Sequence, residues 1–101
     1  MKLKGTEKKA LRGLAHGLKP LVQVGKKGVT DELIGSVGLA LDDHELIKVR
    51  FLDFKEEKKT LSEHIAGQTG SELVGLIGNV AVFFRRHPDP SKRRIMRSSQ
   101  T

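Results

Sequence analysis

A chain of 101 residues has room for one domain, and 37% hydrophobic content without a single Cys implies a packed core in place of disulfides or thiolate metal sites. The longest apolar run, Val80–Phe84, is far too short to span a bilayer, and Met1-Lys2-Leu3-Lys4 is unlike a secretion signal, so no membrane association is expected and the cytoplasm is the expected compartment. The net charge of +7 is segregated: residues 1–30 carry eight Lys/Arg against one Asp/Glu, residues 31–75 five against ten, and residues 76–101 six against one, which favours a polyanionic partner if the two basic ends meet in the fold.

Leu11, Leu14, Ala15 and Leu18 recur at helical spacing, so the first element is a helix over Thr6–Leu18 that Pro20 stops. Leu21–Val24 is a short β-prone run ending at Gly25. Thr30 is an N-cap for a second helix, with Asp31 and Glu32 at its positive end and Leu33, Ile34, Val37, Ala40 and Leu41 along its apolar face to about Asp43. From Glu45 to Asp53 the chain alternates, Ile47, Val49 and Phe51 against Lys48 and Arg50, the period-2 pattern of a half-buried strand. A third helix spans Lys55–Thr69, with Gly70 as its C-terminal cap. Leu73–Ile77 and Val80–Phe84 flank Gly78-Asn79 as a hairpin.

The order α-β-α-β-α-β-β predicts an α+β fold: a four-stranded mixed sheet and three helices in two layers. Residues 1–87 form the domain. Residues 88–101, with two prolines and the cations Lys92, Arg93, Arg94 and Arg97, read as a mobile basic tail.

The segment between the first strand and the second helix, Val24-Gly25-Lys26-Lys27-Gly28-Val29-Thr30, has the composition of a phosphate cradle. Two glycines permit close backbone approach, two lysines supply charge, and a helix N-terminus follows. The bare G-x-x-G pattern has no weight, since 11 glycines give about one by chance and it occurs four times here. The strand-to-helix context and the two intervening cations distinguish Gly25–Gly28. The P-loop and dinucleotide fingerprints are missing, so nucleotide hydrolysis is disfavoured.

The run Leu14-Ala15-His16-Gly17-Leu18-Lys19-Pro20-Leu21-Val22-Gln23-Val24-Gly25-Lys26-Lys27-Gly28-Val29-Thr30, then His44-Glu45-Leu46-Ile47-Lys48-Val49, then Thr69-Gly70 and a hairpin ending Phe84-Arg85, resembles the CRM domain family and within it the stand-alone bacterial YhbY-like proteins. The resemblance covers about residues 3–86 and departs at Phe84, where the family often has Tyr. It implies a fold like the C-terminal domain of translation initiation factor 3, with an added N-terminal helix. It also implies RNA binding through the Gly25–Gly28 loop and association with precursors of the large ribosomal subunit.

The expected RNA contacts are Gly25, Lys26, Lys27, Gly28 and Thr30 in the loop, Lys19 before it, Lys48 and Arg50 on the sheet, Lys8 and Arg12 on the first helix, and Arg85 at the end of the last strand. Phe51, Phe83 and Phe84 alternate with aliphatics and read as core, so recognition of backbone and shape is expected over base stacking. His16, His44, His64 and His87 lack metal-ligand spacing, and Asp42-Asp43 and Glu56-Glu57 diverge on solvated faces. The expectation is therefore a monomeric, non-catalytic binder of ribosomal RNA, without cofactor, metal or small-molecule substrate. The alternatives are a general chaperone or messenger-RNA binder, and a protein-docking adaptor using the acidic segment Asp31–Glu72.

Overall fold

The computed structural model describes residues 3–93 and residue 95. In chain order it contains α1 (Gly5–Ala15), β1 (Val22–Val24), α2 (Asp31–His44), β2 (Leu46–Phe51), α3 (Lys58–Thr69), β3 (Glu72–Ile77) and β4 (Val80–Phe84), with 3-10 turns at Lys55–Glu57 and Pro90–Lys92. The sheet order is β1-β2-β4-β3; β1 runs parallel to β2, and the β2-β4 and β3-β4 pairs are antiparallel. This is the four-stranded mixed sheet with three helices that the sequence predicts.

The element boundaries follow local chemistry. The Thr30 side chain accepts the Leu33 N–H at 3.1 Å and so caps α2. Gly70, at φ 66°, ends α3 with its N–H on the Ala66 carbonyl, and Gly78, at φ 59°, turns the β3–β4 hairpin. Helix α1 stops at Ala15, three residues short of the predicted Leu18. The N–H groups of His16 and Leu18 turn back to the carbonyls of Gly13 and Ala15, and Pro20 disfavours a helical Lys19. Leu14 and Leu18 are consequently 53% and 41% exposed, and the apolar face of α1 narrows to Leu11 and Ala15.

The layering differs from the expected two. Helices α2 and α3 cover one face of the sheet, where Val37, Leu41 and Ile65 pack on Val24, Ile47, Val49, Phe51, Ala81 and Phe83. Helix α1 lies on the opposite face, where Leu3, Leu11 and Ala15 join Leu46, Val74, Val82 and Phe84. The sheet is thus covered on both faces where α1 lies. In β2, Leu46 lies under α1, whereas Lys48 and Arg50, on the same face, lie beyond it.

Helix α1 approaches β3 at a glycine. A Cβ on Gly75 would lie 2.6 Å from Arg12 Cδ, so glycine leaves the space in which the Arg12 stem rests. The ladder is irregular there: Leu73 pairs with Phe83 and Gly75 with Val82, leaving Val74 as an extra residue.

The α2–β2 junction turns on Glu45, a non-glycine residue at φ 62° that is only 1% exposed. Its carboxylate accepts the N–H groups of His87 at 2.6 Å and Ile95 at 2.9 Å, and its carbonyl accepts that of Arg85 at 2.8 Å. Residues 88–93 and Ile95 thereby follow the domain surface, and Ile95 packs on the α1-side core. Arg94 and Arg97 of the predicted tail lie outside the described residues.

Candidate nucleic-acid interface

The Gly25–Gly28 loop lies at the carboxyl ends of the parallel strands β1 and β2, where α2 begins. Gly28 N–H donates to the Gly25 carbonyl at 3.0 Å, closing a tight turn that puts Lys26 and Lys27 at its exposed tip. The two glycines differ in kind. Gly28 has φ 72°, and a Cβ there would meet the Phe54 ring at 3.3 Å, so the fold itself requires glycine. At Gly25 a Cβ would meet nothing within 4 Å, and φ is not positive; packing places no demand on that position.

Thr30 spends its hydroxyl oxygen on the Leu33 N–H and its carbonyl on the Ile34 N–H, which leaves the hydroxyl proton as a donor. Asp31 and Glu32 are exposed in the first turn of α2 and oppose any anion arriving along the helix axis. An anion is therefore drawn to the lysine side of the turn.

A second basic group occupies the sheet half that α1 leaves open. Lys19, Lys48 and Arg50 line an open hollow of about 380 Å³ with Leu18, Ile77 and Val80. Lys48 Nζ donates to the carbonyls of Leu18 at 3.0 Å and His16 at 3.3 Å, so it holds the α1–β1 connection in place and keeps one ammonium proton outward. Arg50 is exposed beside Gln23, its neighbour on β1. Strand β1 runs from this hollow to the Gly25–Gly28 loop, three residues or roughly 10 Å, so a path that starts at Lys19 passes Arg50, beside Gln23, and ends at Lys26 and Lys27.

The other predicted cations sit elsewhere. Arg12 Nη1 donates to the Val74 carbonyl at 3.0 Å, and its stem lies over Gly75. Lys8, one turn earlier on α1, is half-buried. Arg85 lies at the far end of the sheet: Nη1 donates to the Thr69 carbonyl at 2.7 Å, and Nη2 to the Gly38 carbonyl at 2.8 Å and to Asp42 Oδ1 at 2.7 Å. It fastens the end of β4 to α2 and α3. No run of basic letters distinguishes such a clamp from a surface cation.

Phe54 escaped the sequence reading, which found only the three core phenylalanines. It is 36% exposed, adopts the left-handed conformation at φ 54° and ψ 37°, and packs beneath Gly28. The one available signal was its position after Asp53, whose Oδ1 accepts the Phe54 N–H at 2.8 Å.

The CRS1/YhbY (CRM) domain matches residues 3–85 of this chain. The probable RNA-binding protein PA4753 of Pseudomonas aeruginosa is 36% identical over 93 residues, covering 91% of this chain and 89% of that protein. The probable RNA-binding protein YqeI of Bacillus subtilis is 42% identical over 84 residues, covering 82% and 88%. The solution structure of the hypothetical protein SAV1595 from Staphylococcus aureus superposes with a TM-score of 0.79 at 35% identity, over 94% of this chain and all of the other. With the fold, the match across nearly the whole domain and these relatives in agreement, the chain belongs to the CRS1/YhbY (CRM) domain family.

Proposed function

We propose that this protein is a non-catalytic, cytoplasmic RNA-binding protein that grips the phosphate backbone of ribosomal RNA during assembly of the large subunit. The carrying observation is the Gly25–Gly28 turn, which projects Lys26 and Lys27 into solvent while Gly25 keeps its backbone open to close approach. Lys19 and Arg50 extend the cationic path along β1. Arg85 and Arg12 are left out of the contact surface because their guanidinium groups are engaged with backbone carbonyls.

The names of the relatives support RNA as the ligand class. The adaptor alternative has less support, because the acidic middle segment does not form one face: Asp42 pairs with Arg85 and Glu45 is buried beneath the C-terminal segment.

Binding of ribosomal RNA to the wild type and to Lys26→Ala/Lys27→Ala, measured across a salt series, tests the proposal. The wild type is expected to lose affinity with a log–log slope of about −0.7 to −0.9 per phosphate neutralised, and the double variant to lose roughly 1 kcal/mol per lysine with a shallower slope. Equal affinity and slope in the two proteins would remove the loop from the interface. Competition with unrelated RNA of the same length separates a ribosomal target from general RNA binding.

A further inference from the structure

Phe54 is the one phenylalanine of this protein whose ring reaches solvent. The chain has four Phe and no Trp or Tyr, and Phe51, Phe83 and Phe84 are each at most 1% exposed. Its backbone is held in a left-handed conformation that bulky residues rarely adopt.

The surrounding bonds fix this conformation next to the loop. The Val24 carbonyl, at the last residue of β1, accepts the N–H groups of Leu52 at 2.9 Å and Asp53 at 3.2 Å. Asp53 Oδ1 takes the Phe54 N–H, and the Phe54 carbonyl takes the Glu57 N–H at 3.1 Å. The turn is thus tied to the residue preceding Gly25, and the ring edge sits under Gly28. Strain held by several bonds beside a candidate site suggests a use for the side chain.

We infer that the exposed face of Phe54 stacks on the base of an unpaired nucleotide whose phosphate is held by the Gly25–Gly28 turn, so that the preferred ligand is a loop, bulge or single strand in place of a continuous duplex. This rests on the RNA-binding reading above and specifies its ligand.

Charge supports the same orientation. Beside the ring is an open hollow of about 400 Å³ lined by Asp53, Glu56 and Glu57 as well as Lys55. Carboxylates repel a second phosphate strand but tolerate a neutral base, whose edge N–H groups can donate to them. The lysine side of the turn takes the phosphate, and the Phe54 side takes the base.

The test uses two RNAs of equal length, a hairpin with an unpaired loop and a blunt duplex, against the wild type, Phe54→Leu, Phe54→Trp and Lys26→Ala/Lys27→Ala. Phe54→Leu is expected to bind the hairpin about ten-fold more weakly, the size of one lost base–aromatic stack, and the duplex as the wild type does. Phe54→Trp introduces the single tryptophan of the chain, and its emission is expected to be quenched by the hairpin and unchanged by saturating duplex. Thermal melts by circular dichroism accompany each variant. If Phe54→Leu destabilises the fold, the emission of Phe54→Trp decides alone.

Wild-type hairpin affinity in Phe54→Leu with unchanged emission in Phe54→Trp would overturn the inference and leave Phe54 as a prop for Gly28. If Lys26→Ala/Lys27→Ala still weakens binding in that case, the loop reading stands. If the wild type binds neither RNA at low salt, both readings fall together.

Discussion

At one end of the sheet Arg85 is surrounded by acceptors, with the Thr69 and Gly38 carbonyls and Asp42 within 2.8 Å; at the other, Lys26 and Lys27 stand in water at the tip of a two-glycine turn. Both ends are cationic in the sequence. The first lies at the carboxyl ends of α2 and α3, where a guanidinium meets carbonyls and the negative ends of two helix dipoles, and it organises the fold. The second lies at the amino end of α2, where no described side chain compensates the lysines and an anionic ligand can. The partner that a cation meets inside the fold, and not its letter, separates a clamp from a contact.

This contrast can be broken from either side. The largest expected effect on stability is at the clamp: Arg85→Ala removes three hydrogen bonds from a side chain only 25% exposed. After allowance for that exposure, a loss of about 2 kcal/mol is expected, on the order of 10 °C in Tm. A melt within 2–3 °C (roughly 0.5 kcal/mol) of the wild type would show that the clamp contributes little.

The two glycines of the loop sharpen the comparison. Gly28→Ala forces a Cβ into a left-handed backbone and toward Phe54, at a cost of about 1–2 kcal/mol in the same melt. Gly25→Ala is expected to melt within about 0.5 kcal/mol of the wild type while weakening RNA binding, because only a ligand occupies the space its methyl enters. Unchanged binding in a folded Gly25→Ala protein would argue against backbone approach at that residue.

The smallest effect is expected far from both ends. Ser62 is fully buried on α3 and its hydroxyl has no hydrogen-bond partner among the described residues. Ser62→Ala removes an unsatisfied polar group and should stabilise the fold slightly, by up to about 1 kcal/mol, read as a small rise in Tm. A clear fall in Tm would assign that hydroxyl a partner.

Much of the fold was legible because single periodicities decided it. The alternation in β2, the capped apolar face of α2 and the Gly78-Asn79 hairpin each imposed one answer. The side on which α1 packs did not follow from its own amphipathicity, since a helix with an apolar stripe needs a partner without naming it. The clue lay in β4: Val80-Ala81-Val82-Phe83-Phe84 has no polar residue on either side, and its buried residues alternate between the two cores, as expected of a strand covered on both faces. Lys48 and Arg50 drew attention to the solvated end of that face and away from Leu46 at its covered end.

The candidate site was legible in its loop and not in its surroundings. Lys26 and Lys27 announce themselves by context, and Lys19 and Arg50 lie along the strand leading to them. Arg12 became a packing residue because Gly75, 63 positions later, leaves space for its stem, and Glu45 became an internal acceptor because the chain returns at His87 and Ile95. These are long-range pairings that no local window contains. Phe54 was missed for a different reason: a lone aromatic in a charged stretch carries no periodicity, and its importance comes from a backbone angle.

The short first strand and the irregular third one also bear on how copies of this protein meet. They form the two edges of the sheet, where unpaired backbone groups invite another strand to add on. β1 offers three residues between Pro20 and Gly25, and β3 is interrupted by its extra Val74 while the Arg12 side chain takes up one of its carbonyls. Neither edge is a long flat template, so a basic protein that crowds along a polyanion can do so without its sheets joining edge to edge.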